Sequence, residues 1–206
     1  MATIAQLRTK FDKAISHIER DGLSELLAWL ENETDFFRAP ASTKFHGNYD
    51  GGLLHHSLLV LEFALTNFNY LLKYKPELEH LKESIIISAI FHDVCKINQY
   101  TWGEEKWIKK NGKWCSYKGY SFKDNLPMGH GEKSIFYISK FLELTTSEIL
   151  AIRWHMATSE PGTQIPGLTM YSYNQAFENI LVKIIHASDL LALTVEDTID
   201  YASQAK

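Results

Sequence analysis

His92 and Asp93 stand side by side at the end of the most apolar stretch of the chain, residues 84–91 (SIIISAIF). Burying an imidazole and a carboxylate together is costly unless something satisfies both. A divalent metal ion does so, because neutral imidazole and carboxylate are both good ligands. His56, His130, His155 and Asp189 lie in other segments from which a side chain can reach the same point. The chemistry such a set supports is activation of a water molecule by a metal.

Taken singly, each residue also has a plainer role. His55 and His56 point about 100° apart on a helix, and the face of His56 carries Leu53, Leu59, Val60 and Phe63. His56 therefore looks inward, where a lone histidine is ordinarily a hydrogen-bonded core residue. Lys96 lies one turn beyond His92, placed either to pair with Asp93 or to meet a substrate phosphate. His186 and Asp189 share an otherwise apolar stripe with Val182, Ile185 and Leu193, which fits a buried His–Asp hydrogen bond. Alternatively Asp189 is a ligand and His186 its supporting partner or a substrate contact. His130 begins a helix in Met-Gly-His-Gly-Glu (128–132), and His155 ends one, where a cation is stabilising in its own right.

The elements that must position these residues read as helices. Apolar spacing at Ile4, Leu7, Phe11, Ile15 and Ile18 predicts a helix over 4–20, broken at Asp21-Gly22, with a second over 23–30. A punctuated stretch over 33–52 leads into a long helix over 53–74. A helix over 77–98 follows Pro76 and is apolar nearly all round, as a central buried helix is. Asn111-Gly112 between alternating segments predicts a β-hairpin at about 105–117. Helices resume over 131–141 and, after the capping box Thr145-Thr-Ser-Glu148, up to His155. A loop is expected over 158–169 (Pro161, Gly162, Pro166, Gly167), then a long helix over 173–193 and a short one after it. The expectation is one all-α domain over 1–206 with one inserted hairpin, helices within 2–33 packing on a motif core at 51–190.

At 206 residues the chain can bury a sizeable core, and its composition is that of a globular protein. The net charge of −4 gives no overall basic field to draw the chain onto DNA or RNA, though it leaves room for a local basic patch, and no stable duplex DNA binding is expected. Cys95 and Cys115 have neither zinc spacing nor a disulfide framework and read as free thiols of a reducing compartment. No apolar run is long enough to span a membrane, and a cytoplasmic location is expected. Tyr100, Trp102, Trp107, Trp114, Tyr117, Tyr120 and Phe122 crowd the hairpin segment. The simpler expectation is that they pack it against the helices; the other is that they stack on nucleobases and wall a substrate cleft.

The ordered elements Gly51-Gly-Leu-Leu-His-His56, Phe91-His-Asp-Val-Cys-Lys96, Gly129-His-Gly-Glu132, Trp154-His155 and His186-Ala-Ser-Asp189 resemble the HD-domain metal-dependent phosphohydrolases. They are most similar to the HD module of the YhaM-type 3′–5′ exoribonucleases, without that family's OB-type domain. The resemblance implies an HD-domain helical bundle. It implies that His56, His92, Asp93 and Asp189 bind one metal, and that His130 and His155 hold a second with Asp93 as the bridge. The cofactor implied is one or two divalent ions, with Mn, Fe, Ni, Co or Zn better suited than Mg to a mixed His/carboxylate set. The implied reaction is in-line attack of a metal-activated water on a phosphoester or phosphodiester of a nucleotide or short oligonucleotide. Asp93, Lys96, His130 and His155 would serve the chemistry, and Lys96, Lys133, Arg153 and His186 are the candidate substrate contacts. Two other readings share the ligand series: a di-iron oxygenase of the same fold, and a non-catalytic nucleotide-sensing module.

Overall fold

A computed structural model describes residues 2–157 and 168–205. Helix α1 (Ile4–Ile15) opens on a capping box in which Thr3 accepts from the Gln6 amide, and it buries Leu7, Phe11 and Ile15. It is shorter than its apolar period: Ile18 is buried beyond the helix end. Gly22, at φ 81°, turns the chain into α2 (Leu23–Asn32). A side chain there would strike the Phe141 carbonyl, its Cβ standing 1.8 Å from that oxygen.

Two long helices form the centre. In α3 (Gly52–Leu72) the inward face carries Leu53, His56, Val60, Ala64 and Phe68. Helix α4 (Lys82–Phe91) follows a 3-10 turn at Pro76–Leu81 and is buried at every position from Ser84 on. It stops at His92. The expected continuous helix over 77–98 is instead a helix, a break at Asp93 (φ −109°, ψ 17°) and a 3-10 turn at Val94–Lys96. The break is anchored from outside: Asn98, in the left-handed region at φ 56°, donates its amide to Asp35 Oδ1 at 2.6 Å. Leaving the helix at this point swings Asp93 out of register with the apolar face and frees its carboxylate for the polar cluster.

Strands β1 (Tyr100–Lys110) and β2 (Lys113–Phe122) pair antiparallel around Asn111-Gly112, which take positive φ of 49° and 82°. This is the chirality a two-residue hairpin turn needs. The hairpin is longer than the 105–117 expected because pairing continues through the Trp102/Glu104 bulge to Tyr100↔Phe122. The expected packing of its aromatics holds only in part. Tyr100, Tyr117 and Tyr120 are half-buried, whereas Trp107 and Trp114 are 59% and 67% exposed.

Helix α5 (His130–Ile138) packs on α6 (Thr146–Arg153), which opens on the expected capping box and ends two residues before His155. The long terminal helix expected over 173–193 is two helices, α7 (Leu168–Ala176) and α8 (Ile180–Val195). Asn179 separates them, its side chain capping the Leu181 amide at 2.9 Å. The loop expected over 158–169 lies outside the described residues up to 167, and α7 has begun by Leu168. Helix α8 packs against α3, α4 and α6. The architecture is thus a helical domain with one two-stranded hairpin, and no helix among the described residues is long and apolar enough to cross a membrane.

Candidate metal centre

Four elements converge where α4 breaks: α3 brings His56, the break brings His92 and Asp93, α8 brings Asp189, and the chain after α6 brings His155. All five are buried. His56 Nε2 lies 3.1 Å from Asp189 Oδ1, 3.6 Å from Asp93 Oδ2 and 3.3 Å from His92 Nε2. His92 Nε2 lies 3.5 Å from Asp93 Oδ2 and 3.9 Å from Asp189 Oδ1. The opposite carboxylate oxygen, Asp93 Oδ1, faces His155 Nε2 at 3.5 Å.

The far side of each ring settles which nitrogen faces the cluster. His92 Nδ1 donates to the Ala89 carbonyl at 2.8 Å and His155 Nδ1 to the Ile152 carbonyl at 2.7 Å. A carbonyl only accepts, so in the neutral form of each ring the proton is on Nδ1 and the Nε2 lone pair faces Asp93. Lone pairs aimed at carboxylates repel unless a cation lies among them.

In the metal-free protein two protein cations take that place. Burial opposes a charge on His56, but its hydrogen bonds to the Asp189 and Glu196 carboxylates outweigh that and hold the imidazole up to about 9. Burial likewise opposes charge on Lys96, yet Asp93, 2.6 Å from its ammonium, keeps it firmly protonated. Burial opposes ionisation of Asp93 and Asp189 as well. Lys96 and His92 hold Asp93 well below the usual carboxylate range, and His56 does the same for Asp189. Burial keeps His92 below its ordinary value despite Asp93, so it presents a neutral ligand nitrogen. His155 is raised, burial being outweighed by its contact with Asp93. A divalent ion that displaced the His56 proton would find two imidazole nitrogens and two ionised carboxylates on neighbouring elements. The donor set therefore fits such an ion.

Two residues of the cluster carried no warning in the sequence. Glu196, just past α8, has a fully buried side chain and accepts from His56 Nδ1 at 3.0 Å. It is the carboxylate that orients a ligating histidine from behind. Gly47 makes room for it, since a Cβ there would stand 2.5 Å from Glu196 Oε1. His46 stacks on the other side of His56, ring centroids 5.1 Å apart, and burial with Lys96 and His56 nearby pushes it down to about 4. Among the described residues the groups able to hold a metal are His56/His92/Asp93 and His46/His56/Glu196. Neither residue lies in a recognisable pattern; only the fold of 41–50 and 196–204 onto α3 brings them in.

The other candidates are placed as follows. His186 does not bond Asp189; its Nδ1 donates to the His155 carbonyl at 2.6 Å and so supports the chain that carries His155. Lys133 is buried against Asp124 at 2.6 Å, and Arg153 pairs with Glu132 and stacks on Trp154. His130 stands at the start of α5, where Gly131 lets the helix approach the α6 backbone: a Cβ there would come within 2.5 Å of Arg153 Cα. That approach sets His130 on the side of the centre occupied by the chain of His155, but His130 is in neither metal-holding group.

Comparison of the chain with protein-family models, with curated proteins and with solved structures finds no match.

Proposed function

We propose that this chain is a metal-dependent phosphohydrolase of the HD-domain type, acting on a phosphoester or phosphodiester of a nucleotide or short oligonucleotide. One observation carries the reading. The His92 and His155 lone pairs, the His56 ring and the Asp93 and Asp189 carboxylates meet in one buried cluster whose tautomers are set from outside.

His56, His92, Asp93 and Asp189 would hold a first ion, of the Mn, Fe, Co, Ni or Zn class. Bound there, it supplies a hydroxide nucleophile at neutral pH and neutralises charge on phosphoryl oxygens. Asp93 turns its second oxygen toward His155 and the Cys95 thiol, so Asp93 and His155, with His130 as the further candidate, would hold a second ion. Glu196 keeps the His56 ring aimed, and Ala89 and Ile152 do the same for His92 and His155. Lys96 holds a permanent positive charge at Asp93, where it can shift from the carboxylate to a non-bridging phosphoryl oxygen. Lys96 pairs with a carboxylate of the cluster itself, whereas Lys133 and Arg153 pair with Asp124 and Glu132 outside it, which makes Lys96 the stronger candidate for phosphate contact.

The test is metal analysis of the purified protein followed by a manganese-supplemented screen of nucleoside mono-, di- and triphosphates, cyclic dinucleotides and short RNA. Phosphate or nucleotide release that Asp93→Ala abolishes supports the reading. An iron-loaded protein that consumes oxygen with an organic substrate and cleaves no phosphoester overturns it.

A further inference from the structure

The β-hairpin has two unlike faces. Side chains alternate along a strand and cross-strand partners share a face. Lys106, Lys110 and Tyr117 therefore point to one side, where the C-terminal segment covers them: Lys110 Nζ donates to the Ser203 carbonyl at 3.0 Å. Lys106, Tyr117 and Gly119 line a cavity of about 380 Å³ with residues 198–202 of that segment.

The opposite face is open toward the hairpin tip, while at its base Tyr201 of the C-terminal segment packs on Trp102, ring centroids 4.8 Å apart. It carries Trp107, paired across the ladder with Ser116, and Trp114, paired with Lys109. Lys118 faces Glu105, and the Trp102↔Tyr120 pair follows. The bulge at Gly103, φ 98°, is what puts Trp102 on this side: without it, Trp102 and Trp107 would point to opposite faces. Trp102, Trp107 and Trp114 are 49%, 59% and 67% exposed. The charged residues of this face are Lys109, Lys118 and Glu105, whereas Lys106, Lys110 and Lys113 lie on the covered side. The strip runs from the hairpin tip back to Tyr100, where β1 leaves the turn that holds Lys96 against Asp93.

We propose that this face is a docking surface for single-stranded nucleic acid, whose bases stack on Trp107 and Trp114 while Lys109 and Lys118 meet its phosphates. Exposed indoles interleaved with lysines match a polyanion with π faces, and a duplex hides those faces. As a statement of substrate this rests on the proposed phosphohydrolase function; as a statement of binding it does not.

The experiment is fluorescence anisotropy of a short end-labelled oligothymidylate with the full chain in EDTA, where no cleavage occurs. Binding should weaken with salt, with a slope that falls by about 0.7 for each of Lys109→Ala and Lys118→Ala. Trp107→Ala and Trp114→Ala should each weaken binding about tenfold, a typical loss for one stacked base. Both indoles are exposed, so unchanged circular dichroism and melting verify the fold. The proposal is overturned by no salt-dependent binding, by duplex binding equal to single-strand binding, or by wild-type affinity in both tryptophan variants. It is equally overturned if the tryptophans act in binding anionic vesicles, or in a dimer seen by sedimentation, while the oligonucleotide is not bound. Intact binding without cleavage of any strand after manganese loading would leave the surface standing and count against the hydrolase function alone.

Discussion

Glu196→Ala removes the only acceptor that faces His56 Nδ1 among the described residues, at 3.0 Å, from a side chain with no exposure to solvent. Water does not simply replace it, because the position is enclosed beneath Gly47. A hydrogen bond to a charged group is worth about 1.5–3 kcal/mol. Loss of a carboxylate behind a ligating histidine lowers metal affinity about 10–100-fold, the same range expressed as binding. Part of the loss is orientational, since the ring is freed to turn Nε2 away from Asp93 and Asp189. Glu196→Gln separates charge from geometry. Its amide oxygen still accepts from Nδ1–H and keeps the tautomer, so it should retain most of the affinity, whereas the alanine variant should not. The assay is competition for Mn²⁺ against a fluorescent chelator across a pH series, with circular dichroism to verify the fold. The pH midpoint should also fall in both variants, because Glu196 is one of the two carboxylates that hold His56 up to about 9. Unchanged Mn²⁺ affinity and pH midpoint in Glu196→Ala would refute the orienting role.

Four further outcomes are expected. In the wild type, metal must displace the His56 proton, so Mn²⁺ affinity should rise about tenfold per pH unit below the His56 value of about 9 and flatten above it. The metal-free fold behaves oppositely: the stabilisation from protonated His56 is complete below its ordinary 6.5 and is lost as pH rises through about 9, measurable by thermal melts in EDTA. Asp93→Ala should abolish metal binding and also lower stability by about 3–5 kcal/mol, because Lys96 is left buried without its partner; adding Lys96→Met should restore the melting temperature but not metal binding. Gly131→Ala forces α5 away from the Arg153 backbone, 2.5 Å from the new Cβ. It should depress catalysis while leaving the His56/His92 ion in place, as read by turnover against Mn²⁺ affinity.

Much of the site's composition was legible in the chain. The apolar run before His92-Asp93 and the inward register of His56 already implied burial, and a buried carboxylate requires a partner. Local rules were also sufficient for the Asn111-Gly112 hairpin and the Thr145–Glu148 capping box, since both depend on neighbouring residues. Where the period of apolar residues was extended too far, other parts of the chain decided the outcome. Asp35 stops the helix beyond His92, and Asn179 splits the final one. Period alone predicts continuation in both places, because the apolar pattern runs on across the break.

What the sequence determined by itself is the set of groups that cannot be buried alone, His56, His92, Asp93, His155 and Asp189, and the helices that carry most of them inward. Tertiary structure decided how they face one another. It aimed the His56 ring through Glu196, buried Lys133 against Asp124 and added His46 and Glu196 to the centre, whereas the Nδ1 partners of His92 and His155 and the Lys96–Asp93 pair are each only three residues away in the chain. It also left Trp107 and Trp114 bare while the C-terminal segment covered the other hairpin face and set Tyr201 against Trp102. The reason is range: helix period and turn chemistry act over a few residues, whereas His56 and Glu196 are 140 residues apart and meet only because α3 and α8 pack together.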